Sequence, residues 1–180
     1  MDLLKKAFIN LVLVLIGFLI YFLQANFFKW FTIAGVKPNL FVIYILFIGL
    51  FGNKSMGIIY GSVWGLFLDL LFEERVGINL FGLTVIGIIA TIFDKNFSKD
   101  SRITIMFMVF GSTVIFEVIT YFMNYVLYSA NMEILKFVQI LIIENVYNNL
   151  ITIIIYPLIQ RFGYYIENEY KGNKILTRYF

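Results

Sequence analysis

The sequence of 180 residues contains no cysteine and no histidine. Without cysteine there is no disulfide framework and no thiolate nucleophile, and without histidine no imidazole acts as a base near neutral pH. The usual ligands of a zinc site are absent for the same reason. A P-loop, an H-E-x-x-H motif and a Gly-x-Gly-Asp motif are also missing. We therefore predict a protein that is not an enzyme, with no catalytic residues, no metal site and no cofactor.

Charged residues make up only 14% of the chain, whereas hydrophobic residues make up 61% and aromatic residues 19%. Soluble proteins have about 25% charged and about 45–50% apolar residues. Because about 20 helical residues cross the hydrocarbon core of a membrane, long and nearly uncharged segments predict transmembrane helices. The six such segments are 7–28, 38–51, 56–72, 77–93, 103–128 and 135–159. They predict an all-α polytopic membrane protein with six transmembrane helices in one bundle, or five if the 14-residue second segment does not span.

The polar stretches between and after these segments are short. The longest is the tail at 160–180, whose 21 residues are too few to bury a core, so residues 1–180 are predicted to be a single integral membrane domain with a short cytoplasmic tail. Lysine and arginine collect on the cytoplasmic side of membrane proteins, and 10 of the 14 lie on one side of the six segments. Both termini are therefore expected in the cytoplasm. The net charge of +3 reflects this asymmetry and contact with the lipid bilayer, and we expect no nucleic-acid partner.

Small residues recur at a fixed spacing in the third segment. Gly57, Gly61 and Gly65 are followed at the same interval by Asp69, and residues four apart lie on one narrow face of a helix. Glycines on one face let two membrane helices approach closely. The stripe is therefore either a docking groove for a helix of another protein or a packing surface for a neighbouring helix of this chain.

Asp69 lies near the external end of its segment, just before a charged turn. Its carboxylate is expected to accept hydrogen bonds from the backbone amides of that turn and to pair with Arg75, fixing the chain reversal into Gly77. The alternative is a proton or ion site. The structural role is the one that the position at a segment end favours.

Two glutamates interrupt the last two segments. Glu117 and Glu144 each have at least nine residues of their apolar segment on both sides, and a carboxylate at mid-membrane costs about 2.5 to 3.5 kcal/mol. Asn124 shares a helix face with Glu117, and Asn148 follows Glu144 by one turn. These polar stripes predict either a polar pocket or proton relay, or a hydrogen-bonded lock between the two helices.

Two motifs in the first half of the chain resemble the MreD family of rod shape-determining proteins. The first is Gly-Val-Lys-Pro-Asn-Leu at 35–40, in which Pro38 and Asn39 open an apolar helix. The second is the triple-glycine stripe that ends at Asp69, together with the turn that begins at Gly77. The resemblance covers residues 35–87, and chain length and segment number agree with it.

The resemblance implies a multi-pass protein of the bacterial inner (cytoplasmic) membrane that works in the cell-elongation (rod) complex. It implies a non-catalytic scaffold or regulator that maintains cell shape by binding MreC, through both its membrane helix and its extracytoplasmic part. It also implies support of lateral peptidoglycan synthesis, with RodA and its penicillin-binding transpeptidase as further partners and MreB as an indirect one.

The family's helical bundle is also similar to the S components of energy-coupling-factor transporters, which implies an alternative function. In that case the chain is a small-solute binding subunit of a membrane transporter, and the polar stripes of the last two segments line its pocket. S components carry an Ala-x-x-x-Ala pattern in the first helix, whereas the first segment here has only Ala7 and Ala25. This departure and the glycine stripe favour the scaffold.

Overall fold

The computed structural model describes residues 2–72, 76–129 and 133–172. Within these ranges it contains the six predicted helices, and four of them, α1, α4, α5 and α6, are long and apolar enough to cross a membrane. The helix bounds are α1 Asp2–Ala25, α2 Leu40–Phe51, α3 Met56–Phe72, α4 Ile78–Asn96, α5 Arg102–Tyr128 and α6 Ile134–Lys171. A short 3-10 turn, Phe27–Lys29, lies between α1 and α2. The prediction of an all-α polytopic membrane protein is confirmed.

The centre of the bundle is α2, the most hydrophobic of the helices. All 12 of its residues are buried, and it contacts each of the other five helices. Twelve residues extend about 18 Å, well short of the roughly 30 Å hydrocarbon core. The short second segment is thus enclosed by its neighbours, so its helix does not have to match the thickness of the bilayer.

Local sequence sets both ends of α2. Pro38 has no backbone N–H to continue a helix backwards, and the Asn39 side chain caps the new helix by accepting from Val42 N at 3.4 Å. At the other end Gly52 donates its N–H to Ile48 O at 2.8 Å. The Asn53 side chain then accepts from the Met56 N–H at 3.0 Å, which starts α3.

The last helix is longer than its apolar segment. α6 has 38 residues, and residues 160–171 continue the helix past the predicted boundary at 159. Its buried face continues too, because Gly163 lies against the ring of Phe51 and Ile166 is buried. This packing explains why the more polar residues after 159 remain helical. The rest of the predicted tail, 173–180, lies outside the described residues.

Candidate functional site

The glycine stripe of α3 faces α4 of the same chain. A Cβ atom at Gly61 would lie 2.3 Å from Leu83 O, and one at Gly65 would lie 2.5 Å from Asn79 O. Both distances are shorter than any non-bonded carbon–oxygen contact, so the backbones of α3 and α4 nearly touch at these glycines. The glycine face of α3 is therefore covered by α4 and leaves no space for a helix of another protein. Of the two expectations for the stripe, the structure has packing within the chain.

Two further glycines complete this contact. A Cβ at Gly87 of α4 would lie 2.3 Å from Gly57 O, and a Cβ at Gly57 would lie 2.8 Å from the Cα of Gly49 in α2. The three helices α2, α3 and α4 therefore meet at glycines. Sequence reasoning missed both: Gly49 is the only glycine of its segment, and Gly87 follows Gly77 and Gly82 at intervals of five residues, a spacing that does not keep to one helix face.

Asp69 holds the start of α4. Its side chain is fully buried and accepts hydrogen bonds from the backbone N–H groups of Gly77 at 2.8 Å, Asn79 at 3.0 Å and Leu80 at 3.0 Å. The Asn79 side-chain amide donates a fourth bond at 3.0 Å. The first N–H groups of a helix have no partner within it, and the helix dipole favours a negative charge there. The expected partner Arg75 lies outside the described residues.

Gly77 is required at this reversal by its backbone conformation. Its φ is +110°, in a region that residues with a Cβ atom rarely adopt. That conformation turns the Gly77 N–H toward Asp69. The separate motif residues Asp69 and Gly77 therefore belong to one α3–α4 corner.

The other motif residues, Pro38 and Asn39, lead into the polar stripe of α6. The Asn39 N–H donates to the Asn148 side-chain oxygen at 2.9 Å, and the next N–H, from Leu40, donates to the Gln24 side-chain oxygen at 3.1 Å. Asn148 is fully buried. The amino end of α2 thus starts inside the bundle, and polar side chains from α1 and α6 satisfy its free N–H groups. From the sequence alone, the Pro38–Asn39 motif and the polar stripe of α6 showed no connection.

Asn148 also begins a ladder of polar contacts between the antiparallel helices α5 and α6. Its side-chain amide donates to the Thr113 hydroxyl at 3.0 Å. One turn further along both helices, the carboxyl groups of Glu117 and Glu144 lie next to each other, and the Glu144 side chain also lies beside Asn148. Two neighbouring carboxyl groups can hydrogen-bond to each other only when one of them carries a proton. The structure therefore brings together three of the four predicted polar residues of these helices.

Asn124, the fourth of these residues, lies two turns beyond Glu117 on α5. Its side-chain amide donates to Thr120 O of its own helix at 2.9 Å. Seven residues correspond to about 10 Å along a helix, too far for a direct contact with the glutamate pair. Asn124 is therefore not in direct contact with that pair.

Several buried polar atoms beside the glutamate pair have no hydrogen-bond partner within the described chain. They include Glu144 Oε1, both amide atoms of Asn145 and the Thr120 hydroxyl. A buried polar group without a partner costs about 1–3 kcal/mol. The pair thus has the direct contact that a helix lock needs, and beside it the unused donors and acceptors that a polar pocket needs.

Substitution of the glutamates tests the lock directly. We expect Glu144→Gln to keep the contact, because an amide still donates and accepts beside the Glu117 carboxyl group. Glu144→Leu leaves Glu117 buried without this partner and is expected to lower the free energy of unfolding by about 1–3 kcal/mol. Thermal unfolding of the purified protein in detergent measures both. Loss of activity in cells for a Glu144→Gln protein of wild-type stability would instead favour a pocket or proton relay.

A charged cluster at the opposite end of α2 was not foreseen. The Lys99 ammonium pairs with Asp94 at 2.7 Å and Glu167 at 2.6 Å, and the Lys171 ammonium pairs with Asp94 at 2.7 Å. Both ammonium groups also donate to Leu50 O, at 3.0 and 2.8 Å. They satisfy a carbonyl at the carboxyl end of α2, where the helix dipole favours positive charge.

One sequence signal pointed to this cluster. Glu167 and Lys171 are four residues apart, the spacing at which side chains meet on a helix, and this indicates that α6 continues past residue 159. In three dimensions the buried helix α2 is held at both ends by polar side chains from other helices. In the described part of the chain, no group of three or more Asp and Glu side chains is placed to hold a metal ion.

Comparison with known proteins gives one match. The family model described as rod shape-determining protein MreD matches residues 4–165, which include nearly all of α1, all of α2 to α5 and most of α6. No curated protein and no solved structure matches the chain. The expected similarity to transporter S components therefore stays a prediction. Because the family match covers most of the sequence, the chain belongs to the MreD family, and its role lies in the rod shape-determining system.

Proposed function

We propose that this protein is a non-catalytic scaffold of the rod complex in the inner membrane, with both termini in the cytoplasm. In this role it binds the single-span protein MreC and supports lateral peptidoglycan synthesis by RodA and its transpeptidase, with MreB engaged indirectly. The observation that carries the proposal is the family match over residues 4–165. Further support comes from a described chain that consists almost wholly of helices, four of them long and apolar enough to cross a membrane.

The polar residues support a scaffold more than a solute-binding subunit. Asp69 is used to hold α4, and Asn148 is used to hold the amino end of α2 and Thr113. The carboxyl groups of Glu117 and Glu144 lie next to each other between α5 and α6. These contacts stabilise the bundle, so a solute would have to bind through the buried polar atoms beside the glutamate pair that have no partner in the described chain. The alternative of an S-component-like subunit would need a ligand that displaces these contacts.

We propose that the aromatic loop between α1 and α2 meets the extracytoplasmic part of MreC. This loop lies at the end of α1 away from the N-terminus, which is the outer side if both termini are cytoplasmic. Its Trp30 is 88% exposed, and Phe27 and Phe31 are also exposed. The backbone is held in place because Tyr147 donates its hydroxyl to Phe31 O and because Ile33 and Val36 pair through their backbones. Exposed aromatic residues on a held backbone are typical of protein interfaces.

Depletion of the protein is expected to make rod-shaped cells wider and rounder, and the wild-type gene is expected to restore their width. In the same cells, Trp30→Ser is expected to lower the amount of MreC that co-purifies with the protein, because it removes the most exposed aromatic side chain of the loop. Cell width by microscopy and MreC recovery from solubilised membranes are the two measurements.

The control substitution is Phe97→Ser. Phe97 follows α4 at the opposite end of the bundle and is 50% exposed, so its loss tests a general effect of removing an aromatic residue. Unchanged cell width after depletion would contradict the scaffold function. Equal MreC recovery for Trp30→Ser, Phe97→Ser and wild type would contradict the loop as the contact.

A further inference from the structure

A groove runs along the outside of the bundle between α1 and α3. Its volume is about 540 Å³. The walls over most of its length are apolar and include Phe18 of α1 and Val63 of α3, both largely exposed, together with the buried ring of Trp64. The groove therefore opens toward the lipid.

One end of the groove is polar. There Tyr60 donates to the Asn10 side-chain oxygen at 3.0 Å, and Asn53 and Ser55 also line the wall. Tyr170 of α6 closes this end. All of these residues lie near the start of α1, the start of α3 or the end of α6, so the polar end is on the side of the described termini.

Lysines surround this polar end. The Lys6 ammonium lies 5.6 Å from the centre of the Tyr170 ring, and Lys54 stands between two residues that line the groove. Lys5 is close by and pairs with Glu169 at 3.4 Å. Of these three lysines, only Lys5 is paired with an acidic side chain in the described part of the chain, so Lys6 and Lys54 leave positive charge that attracts an anionic group.

The length of the groove fits one chain of a lipid. From Asn10 to Phe18, α1 rises about 12 Å, and from Ser55 to Phe67, α3 rises about 18 Å, so the groove spans about one leaflet of a 30 Å core. The acyl chain of a phospholipid likewise extends over one leaflet. The polar end then lies where the headgroup of such a lipid would be.

We propose that the groove between α1 and α3 binds an acyl chain of an anionic phospholipid, with the phosphate headgroup at the end that carries Lys6 and Lys54. The lipid comes from the leaflet on the side of the termini. Its chain covers the apolar walls next to Trp64, and its headgroup meets the lysines and the polar side chains of Asn10 and Tyr60.

The two tryptophans make this proposal measurable. Trp64 lines the groove, whereas Trp30 lies at the other end of the bundle. The full-length Trp30→Phe protein is reconstituted in vesicles with brominated phosphatidylglycerol or brominated phosphatidylcholine at equal mole fraction, since bromine quenches a tryptophan that it touches. We expect stronger quenching by the anionic lipid, with each nearby lysine contributing up to about fivefold in relative binding.

Matched variants separate the headgroup from the chain. The double variant Lys6→Gln, Lys54→Gln is expected to be quenched nearly equally by the two lipids. Lys136→Gln, which changes an exposed lysine near the start of α6, is expected to keep the preference for the anionic lipid. Val63→Phe fills the groove and is expected to reduce quenching by both lipids, while Val118→Phe on the exposed side of α5 does not. Circular dichroism and gel filtration show that each variant is folded.

Two results would overturn the proposal. One is equal quenching by the two brominated lipids in the Trp30→Phe protein. The other is protection of Trp64 from both lipids by a synthetic membrane-spanning peptide of MreC, because this would make a protein helix the occupant. Neither result depends on the cell-shape phenotype, so the scaffold proposal and the lipid proposal fail separately.

Discussion

Replacement of Asp69 with alanine is expected to abolish stable folding or to lower the free energy of unfolding by at least about 3 kcal/mol. The buried carboxylate accepts four hydrogen bonds, three of them from backbone N–H groups at 77, 79 and 80. Alanine leaves these N–H groups without a partner, at about 1–3 kcal/mol each, and removes the negative charge at the amino end of α4. Proteins are stable by only about 5–15 kcal/mol, so this is a large part of the total.

Asp69→Asn is expected to be intermediate. The asparagine has nearly the same shape but only one acceptor oxygen, and its amide group points N–H donors at other donors. The matched control is Glu133→Ala, because Glu133 is an exposed acid at the start of α6 whose side chain makes no capping hydrogen bond. The control is expected to stay within about 0.5 kcal/mol of wild type. Thermal unfolding in detergent ranks the four proteins, and a wild-type midpoint for Asp69→Ala would disprove this role.

The second large effect is expected from a side chain at Gly61. A Cβ there would lie 2.3 Å from Leu83 O and 2.8 Å from Leu83 C, and both atoms belong to helix backbone that cannot move alone. Gly61→Ala is therefore expected to push α3 away from α4 and to cost about 1–3 kcal/mol, and Gly61→Leu to cost more. Gly111→Ala is the control, because its Cβ would meet only Phe93 Cζ at 3.8 Å. The control is expected to be neutral or slightly stabilising, since alanine favours helix.

The absence of cysteine from the chain provides a direct measurement of this contact. The hydroxyls of Ser62 and Thr84 are 2.9 Å apart across α3 and α4, so a Ser62→Cys, Thr84→Cys pair is placed to form a disulfide on oxidation. We expect rapid cross-linking in the parent and in Gly111→Ala, and slow cross-linking in Gly61→Leu. Equal cross-linking rates would show that the helices tolerate the added side chain. If cross-linking is slow in Gly61→Leu, loss of MreC binding by this variant reports on the fold and not on a docking face.

Composition and segment length determine the class of this protein. The six nearly uncharged segments lie in lipid, where no water can bond to their backbone N–H and C=O groups. They must therefore form helices, in which the backbone hydrogen bonds are internal. The residue spacing also predicted which residues share a helix face, such as Gly57, Gly61 and Gly65, because the helical period is a local property. The resemblance to the MreD family was drawn from such local patterns, and the family match confirms the family.

The partners of those faces depended on the tertiary structure. Asn39 and Asn148 are 109 residues apart, and Leu50 and Lys171 are 121 apart. No local period relates residues at such separations, and which helix packs beside which is decided by the sum of many weak contacts. The same holds for α2, whose short length left open whether it spans the membrane.

The sequence by itself therefore determined that the protein is embedded in lipid, where its helices lie along the chain and which polar residues interrupt them. Only the tertiary structure decided that α4 covers the glycine stripe and that α2 lies buried with polar side chains at both ends. The physical reason is that the backbone hydrogen bonds of a membrane helix form within one segment. The unpaired N–H and C=O groups at the ends of a short buried helix, by contrast, need side chains from elsewhere in the chain.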